Sequence, residues 1–173
     1  MDSFSIRREL PGLLPALRAY ARALSRSAPA ADDLVQEAVL RALRAEAQFE
    51  PGTELRAWMF TILRNCWLGQ VRKAGRERRA VEAQGHAAEE ARPASQGDRL
   101  EVAELARAMD ALPVTQREAL MLVGAQGMTT AQAAAVVGVP EGTVKARLSR
   151  GRNALRAALA QPAVEADSLH PVS

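Results

Sequence analysis

Cysteine and histidine are nearly absent. The single Cys66 excludes an internal disulfide, and with only His86 and His170 beside it the chain has too few ligands for a structural zinc site. Cys66 lies inside an apolar helical pattern, which reads as a buried thiol rather than a redox sensor. Aromatic residues are 3% of the 173 residues, and Ala and Leu supply most of the 48% that is apolar, a balance that favours small all-helical bundles. No stretch approaches the roughly 18 consecutive apolar residues of a membrane span, and the N-terminus has no apolar run of the signal-peptide kind, so a cytoplasmic protein without a membrane span is expected. A Gly-rich phosphate loop, a metal cluster and a Ser/His/Asp or Cys/His arrangement are all missing. No catalytic residue, metal or cofactor is therefore expected, and the chain does not read as an enzyme.

One sign of charge is barely in excess. The formal net charge is +3 while the pI is about 9.7, so any basic function must come from local clustering. Such a cluster lies between Met128 and Leu159, MTTAQAAAVVGVPEGTVKARLSRGRNALRAAL, which has the pattern of a helix-turn-helix. Thr129 or Thr130 can cap a short helix with Ala133, Ala134, Val136 and Val137 on its apolar side, and Gly138 suits the left-handed residue that ends it. Pro140 starts a second helix, Glu141 faces its positive N-terminal dipole, and Val144, Leu148, Gly151 and Leu155 form its buried seam. From Glu141 to Arg156 there are five basic residues against one acidic. A short basic helix held across another by a tight turn has the shape and charge to enter a DNA major groove. The competing reading is a solvated face on an ordinary bundle helix.

Along the rest of the chain, Leu13, Leu17, Tyr20 and Leu24 predict a first amphipathic helix in which Pro15 fits only the first turn. A second helix is expected from about Ala31 to Phe49, with Leu34, Val35, Ala38, Val39, Ala42 and Leu43 towards the core. Phe49 to Thr53 is a turn, and Thr53 can cap a third helix reaching about Lys73, with Leu55, Met59, Ile62 and Cys66 on its seam and Trp58 and Trp67 as core anchors. Residues 74–97 lose periodicity and read as a linker, in which Arg76, Arg78 and Arg79 either touch nucleic acid or simply keep the segment solvated. Leu100, Val102, Leu105, Ala106, Met109 and Leu112 define a further helix closed by Pro113. Thr115 and Glu118 have the spacing of a capping box opening a helix from Gln116 to Ala125. The fold class is thus all-α: two small helical domains, 1–73 and 98–160, joined by a flexible linker, the second ending in the helix-turn-helix, and a mobile tail at 161–173.

This arrangement resembles a bacterial sigma factor of the extracytoplasmic-function (ECF) type of the sigma-70 family. DDLVQEAVLRAL from Asp32 is similar to the helix by which such factors hold core RNA polymerase, RAWMFTILRNCWLGQVRK from Arg56 to their promoter-melting, −10-reading helix, and the segment from Gln116 to Leu159 to their −35-reading domain. FEPGTELRAWMFTILRN and REALMLVGAQG are also similar to the EcfG type, which runs the general stress response in alphaproteobacteria. The resemblance implies core polymerase and promoter DNA as partners, and a small helical anti-sigma factor as regulator, removed in turn by a response regulator with a sigma-like decoy domain.

Residue by residue, the resemblance implies that Asp32, Asp33, Gln36 and Glu37 meet a basic coiled coil of the polymerase through charge-assisted hydrogen bonds. It places Trp58, Thr61, Arg64 and Asn65 at the −10 element, where an amide can bond a base edge and a guanidinium can hold phosphate or stack on an unpaired base. In the −35 major groove it places Glu141, Thr143, Lys145 and Ala146 for base reading and Arg147, Arg150 and Arg152 for phosphate or structural pairing, with Ser149 among them. Ala146 stands where many relatives have Ser, so that hydroxyl's contact is lost here. With only Trp58, Phe60 and Trp67 available in the third helix, capture of one extruded base is expected rather than broad wedging of the duplex.

Two other readings fit parts of the sequence. The helix-turn-helix suits a LuxR-like transcriptional regulator nearly as well, but residues 1–73 lack the alternating βα pattern of a receiver and the length for a ligand pocket. A sigma mimic that only sequesters an anti-sigma factor would have no use for a basic recognition helix.

Overall fold

The computed structural model describes residues 5–83 and 100–160. Among these the regular structure is helical: α1 Ile6–Ser25, α2 Ala28–Arg44, a 3-10 turn Glu46–Gln48, α3 Leu55–Ala83, α4 Leu100–Ala111, α5 Val114–Ala119 continuing as a π-helical segment Leu120–Ala125, α6 Thr130–Val137 and α7 Glu141–Ala160. The helices α1, α2 and α3 form one bundle and α4 to α7 a second, and the two pack on each other through α1 with α5 and α3 with α6.

Helix α1 starts earlier than its seam suggests. Pro11 and Pro15 both lie inside it, so Pro15 is not a first-turn residue. Both prolines are exposed, which lets the carbonyls they leave unbonded face water. The earlier start buries Ile6 and Leu10, at 1% and 6% exposure, and so offsets the roughly 3 kcal/mol that an interior proline costs. Arg26 closes the helix in the left-handed region at φ 60°, and Ser27 caps α2 by accepting from the Ala30 amide. Helix α2 ends at Arg44, five residues short of Phe49, because the 3-10 turn takes over.

The turn before α3 carries Gly52 at φ +100°. Thr53 does not cap that helix: its hydroxyl donates to the Glu50 carbonyl at 2.7 Å and closes the turn instead. In α3 the buried positions are Met59, Phe60, Leu63 and Cys66. The aromatic anchor of the first core is thus Phe60, packed edge-on against Tyr20 with ring centroids 4.9 Å apart, whereas Trp58 and Trp67 are only partly buried at its margin. Cys66 is buried as expected, and burial raises its pKa, which keeps it a thiol. The helix does not stop at Lys73 but continues to Ala83; apart from Gly75 and Val81, residues 74–83 are Ala, Arg and Glu, strong helix formers, and Lys73 pairs with Glu77 one turn on. The rest of the expected linker and the tail lie outside the described residues.

The second bundle departs from its predicted seam at two places. Val102 and Leu105 are exposed, at 60% and 44%, whereas Ala108 of α4 and Leu112 just after it are buried. Thr115 and Glu118 form no capping box: α5 begins at Val114 after Pro113 with no side-chain cap, and Glu118 is buried among partners from the first bundle. The helix-turn-helix follows its sequence pattern. Thr129 accepts from the Gln132 amide at 3.1 Å while Gln132 Oε1 accepts from the Thr129 amide at 2.9 Å, a reciprocal capping box. Gly138 ends α6 at φ 73°, and Val144, Leu148 and Gly151 turn inward from α7.

Candidate nucleic-acid and polymerase interface

Burying Val144, Leu148 and Gly151 leaves the opposite side of α7 to solvent. Glu141, Lys145, Ser149, Arg150 and Arg152 are exposed, and Thr143, Ala146 and Arg147 are half-buried at the flanks. A concave surface joins Lys145, Ser149 and Arg152 to Thr130 of α6 and to Asn153 and Arg156 one turn further along α7. Of those last three, Arg156 counts in the basic cluster of the sequence and Thr130 reads only as a cap, and the sequence assigns none of them to the DNA face. Asn153 and Arg156 share the face by simple 3.6-residue periodicity, but Thr130 belongs to the other helix and only the fold brings it there.

The N-terminus of α7 is electrostatically ordered before any partner arrives. The Thr130 hydroxyl donates to Glu141 Oε1 at 2.6 Å, and Lys145 Nζ lies 3.0 Å from the same oxygen. The Thr130 bond, and then the Lys145 bond and charge, lower the Glu141 pKa, so this carboxylate stays ionised and an acceptor only. A carboxylate can accept from a cytosine amino group, and its unused lone pairs remain available for that.

The α3 residues split into two groups. Trp58 and Thr61 line a cleft of about 310 Å³ with Gln48, Glu50, Thr53, Glu54 and Ala57, closed on its far side by Ala135 and Val136 of α6. Gln132 Nε2 donates to Glu54 Oε2 at 2.9 Å across the same junction. Asn65 is exposed. Arg64 is engaged elsewhere: its Nε donates to Glu118 Oε1 at 2.7 Å, and the Tyr20 hydroxyl donates to that same oxygen at 2.6 Å. The side chains of Arg64 and Glu118 are 16% and 2% exposed. Burial, then the charge and hydrogen bond of Glu118, push the Tyr20 pKa well above its ordinary value, with Arg64 opposing. Beside Glu118, Arg117 turns its guanidinium to the Ala23 carbonyl of α1 and to the Leu112 carbonyl at the end of α4, and Arg56 of α3 donates to Gln126.

On α2, Asp32, Asp33 and Gln36 are exposed and Glu37 is half-buried. Glu37 already accepts from Arg41 at 2.6 Å and from Gln70 of α3 at 2.8 Å. Asp32 has only a long contact to Arg18, at 4.0 Å. The four share an acidic side with exposed Leu40 next to it. No group of three or more His, Cys, Asp or Glu that could hold a metal ion occurs among the described residues, and no described helix is long and apolar enough to cross a membrane.

Among the described residues, two docked helical bundles, one presenting an acidic helix and one a basic helix-turn-helix, define a two-module all-helical protein of the kind found among transcription factors. Residues 12–77 match the family described as Sigma-70 region 2 and residues 103–155 that described as Sigma-70, region 4. The chain is 46% identical over 157 residues to the ECF RNA polymerase sigma factor EcfG of Rhodopseudomonas palustris (strain TIE-1), an alignment covering 90% of this chain and 85% of that protein. Among solved structures it is similar to the sigma factor RpoE in complex with the anti-sigma factor NepR from Bartonella quintana, at 42% identity and a TM-score of 0.76, over 88% of this chain and 95% of that one. It is also similar to CnrH in complex with the cytosolic domain of CnrY, at 29% identity and a TM-score of 0.63, over 88% and 86% of the two chains. The chain belongs to the ECF RNA polymerase sigma factors of the sigma-70 family.

Proposed function

We propose that this sigma factor serves a stress response of the EcfG kind, with the work divided between its modules. The exposed side of α2, Asp32, Asp33, Gln36 and Glu37, docks on core polymerase. The α3 residues Trp58, Thr61, Arg64 and Asn65 face the −10 element, and the open side of α7 reads the −35 element. The observation that carries this reading is the two-sidedness of α7, in which Val144, Leu148 and Gly151 are buried while Lys145, Ser149, Arg150 and Arg152 are exposed to solvent. Base reading falls to Glu141, Thr143, Lys145 and Ala146 near the helix N-terminus, and phosphate holding to Arg147, Arg150 and Arg152.

The chemistry of transcription belongs to the polymerase, and the sigma factor acts in the cytoplasm as a binding subunit without catalytic groups. The domain limits proposed for this division are 1–73 and 98–160, with 74–97 as the connection and 161–173 as a tail. The regulator proposed is an anti-sigma factor of the NepR kind, since the sigma factor RpoE, 42% identical, was solved with one. Multi-round transcription by sigma-free core polymerase on a genomic library tests the reading. New start sites that share two spaced upstream elements, appearing only with this protein, are expected; DNA binding by the protein alone with no new starts would overturn it.

A further inference from the structure

Among the described residues, the Glu118 carboxylate is the one acidic group of the second bundle that is buried among residues of the first. Its Oε1 takes one hydrogen bond from Tyr20 on α1 and another from Arg64 on α3. At 2% exposure a carboxylate is held in place only by such partners, because an unpaired charge cannot stay in a closed interface. With the bundles apart, Glu118, Arg64 and Tyr20 would each meet water. The contact is therefore not part of either bundle's own core, and it exists only while the bundles are docked.

The same docking takes Arg64 out of the α3 surface while leaving Asn65 exposed. Arg64 is 16% exposed, and the cleft beside Trp58 and Thr61 is lined on its α6 side by Ala135 and Val136. A nucleic-acid strand that is to take Arg64 must displace Glu118 of α5. A guanidinium whose Nε is spent on a buried carboxylate cannot offer that same donor to a phosphate or a base.

We propose that Glu118 is an internal competitor for the nucleic acid: in the docked form it occupies Arg64, with Tyr20 as second donor, and holds the sigma factor in a self-inhibited state that must open before the α3 face engages DNA. The proposal rests on the reading of α3 as the −10 face. In such a two-state scheme the apparent affinity of the free chain is its intrinsic affinity scaled by the open fraction, so a substitution that raises that fraction raises DNA binding in proportion. Glu118→Gln keeps the size of the side chain and an acceptor oxygen but removes the charge that matches Arg64. Its expected effect is a rise in the open population of about tenfold, the scale of losing a charge-assisted hydrogen bond.

Spin labels placed by Ala47→Cys and Asn153→Cys in a Cys66→Ala full-length chain read the distance between the bundles, and circular dichroism checks that each variant keeps its helices. The unaltered pair is expected to give one short distance, and Glu118→Gln and Tyr20→Phe each a longer, broader population. Binding of a fluorescent single-stranded −10 oligonucleotide to the free chain is expected to tighten about tenfold with Glu118→Gln. In the double substitution Arg64→Glu with Glu118→Arg, the short distance should return although oligonucleotide binding stays weak, an outcome that general loss of stability cannot imitate. Folded Glu118→Gln and Glu118→Ala chains with unchanged distances would overturn the proposal, as would opening with no gain in oligonucleotide binding. The transcription assay above is independent of these distances, so a failed sigma-factor reading and a failed latch are distinguished.

Discussion

A Cβ added to Gly151 would lie 3.0 Å from Cδ1 of Leu120, with the Gln116 Cβ at 3.3 Å. Gly151 sits on the buried seam of α7, so the absence of a side chain there lets the recognition helix lie close against α5 and the π-helical segment that follows it. Alanine would raise helix propensity by about 1 kcal/mol, but it meets the end of a flexible leucine, whose displacement costs a similar or larger amount. Gly151→Ala should therefore lose less than about 1 kcal/mol. Gly151→Val, with two more carbons and a poorer helix former, should lose about 2–3 kcal/mol. Urea melts followed by circular dichroism measure both, and a valine variant as stable as the parent would show that the two helices can move apart freely.

Arg117 is 2% exposed and is satisfied by carbonyls rather than by a carboxylate. Its Nη1 donates to Leu112 at 2.9 Å and lies 3.4 Å from the Met109 and Asp110 carbonyls, where it closes the C-terminal end of α4, while Nε serves Ala23 in the other bundle. Burial lowers its pKa from the usual arginine value, yet a guanidinium remains protonated. Lysine offers no planar fork and cannot reach both sides. Arg117→Lys should lose about 1.5–3 kcal/mol, and Arg117→Ala more because a cavity is added to orphaned carbonyls. Thermal melts of the full chain give the order, and an Arg117→Lys chain as stable as the parent would mean that the carbonyls find water instead.

Much of this architecture was legible from local signals. Thr129, Gly138 and Pro140 act within one turn of themselves, so the helix-turn-helix and the exposed basic side of α7 could be read directly. Glu118 could not be, since T-x-x-E is a local cap by spacing while its partners Tyr20 and Arg64 are 98 and 54 residues away. For the same reason Arg64 reads from sequence as a free promoter-facing guanidinium, and only the docked fold shows it occupied. Val102 and Leu105 look apolar enough to bury, but the first bundle does not reach the start of α4, and burial begins only at Ala108 and Leu112 further along. Proline in α1 misled because helix rules are written for interior hydrogen bonds, and here the two prolines lie on the wet side.

Tyr20 is the only tyrosine in the chain, so tyrosinate absorbance reports its hydroxyl alone. Burial and Glu118 raise its pKa well above the ordinary 10.0, against the opposing charge of Arg64. Between the ordinary value and the raised one, the folded, docked chain keeps a proton that the unfolded chain releases. The stability that Tyr20 contributes is therefore complete below pH 10.0 and is lost as the pH rises towards the folded value. The absorbance midpoint of the native chain should lie well above 10.0. Urea stability should fall more steeply on the alkaline side in the parent than in Tyr20→Phe, and equal slopes would remove Tyr20 from the interface.

Within the acidic face of α2, the two central carboxylates are not equivalent. Glu37 is already bonded to Arg41 and Gln70, whereas Asp33 is exposed and makes no hydrogen bond or ion pair among the described residues. Handing Glu37 to a polymerase guanidinium means breaking existing bonds, so its net gain on binding is smaller. Asp33→Ala should weaken core polymerase affinity by about tenfold, and Glu37→Ala by less, on the scale of a charge-assisted bond. Binding of each variant to labelled core polymerase checks the order, and equal losses would show that Glu37 exchanges partners without penalty.

Arg150 is exposed on the open side of α7 and has no partner among the described residues, unlike Lys145, which is tied to Glu141. A free guanidinium facing the groove has no contact to give up, and its ordinary role is to hold a phosphate. Each phosphate neutralised releases counterion, so the logarithm of affinity falls with the logarithm of salt by about 0.9 per contact. Arg150→Ala should reduce that slope by about one contact while leaving the ranking of promoter sequences unchanged. Thr130→Ala should do the reverse. The Thr130 hydroxyl proton is spent on Glu141 Oε1 at 2.6 Å and the hydroxyl carries no charge, so its loss should relax discrimination at one −35 position with the salt slope intact. Holoenzyme binding to a set of single-base promoter variants across a salt series separates the two effects. A changed base preference for Arg150→Ala, or a changed slope for Thr130→Ala, would reverse the assignment of phosphate holding and base reading on this helix.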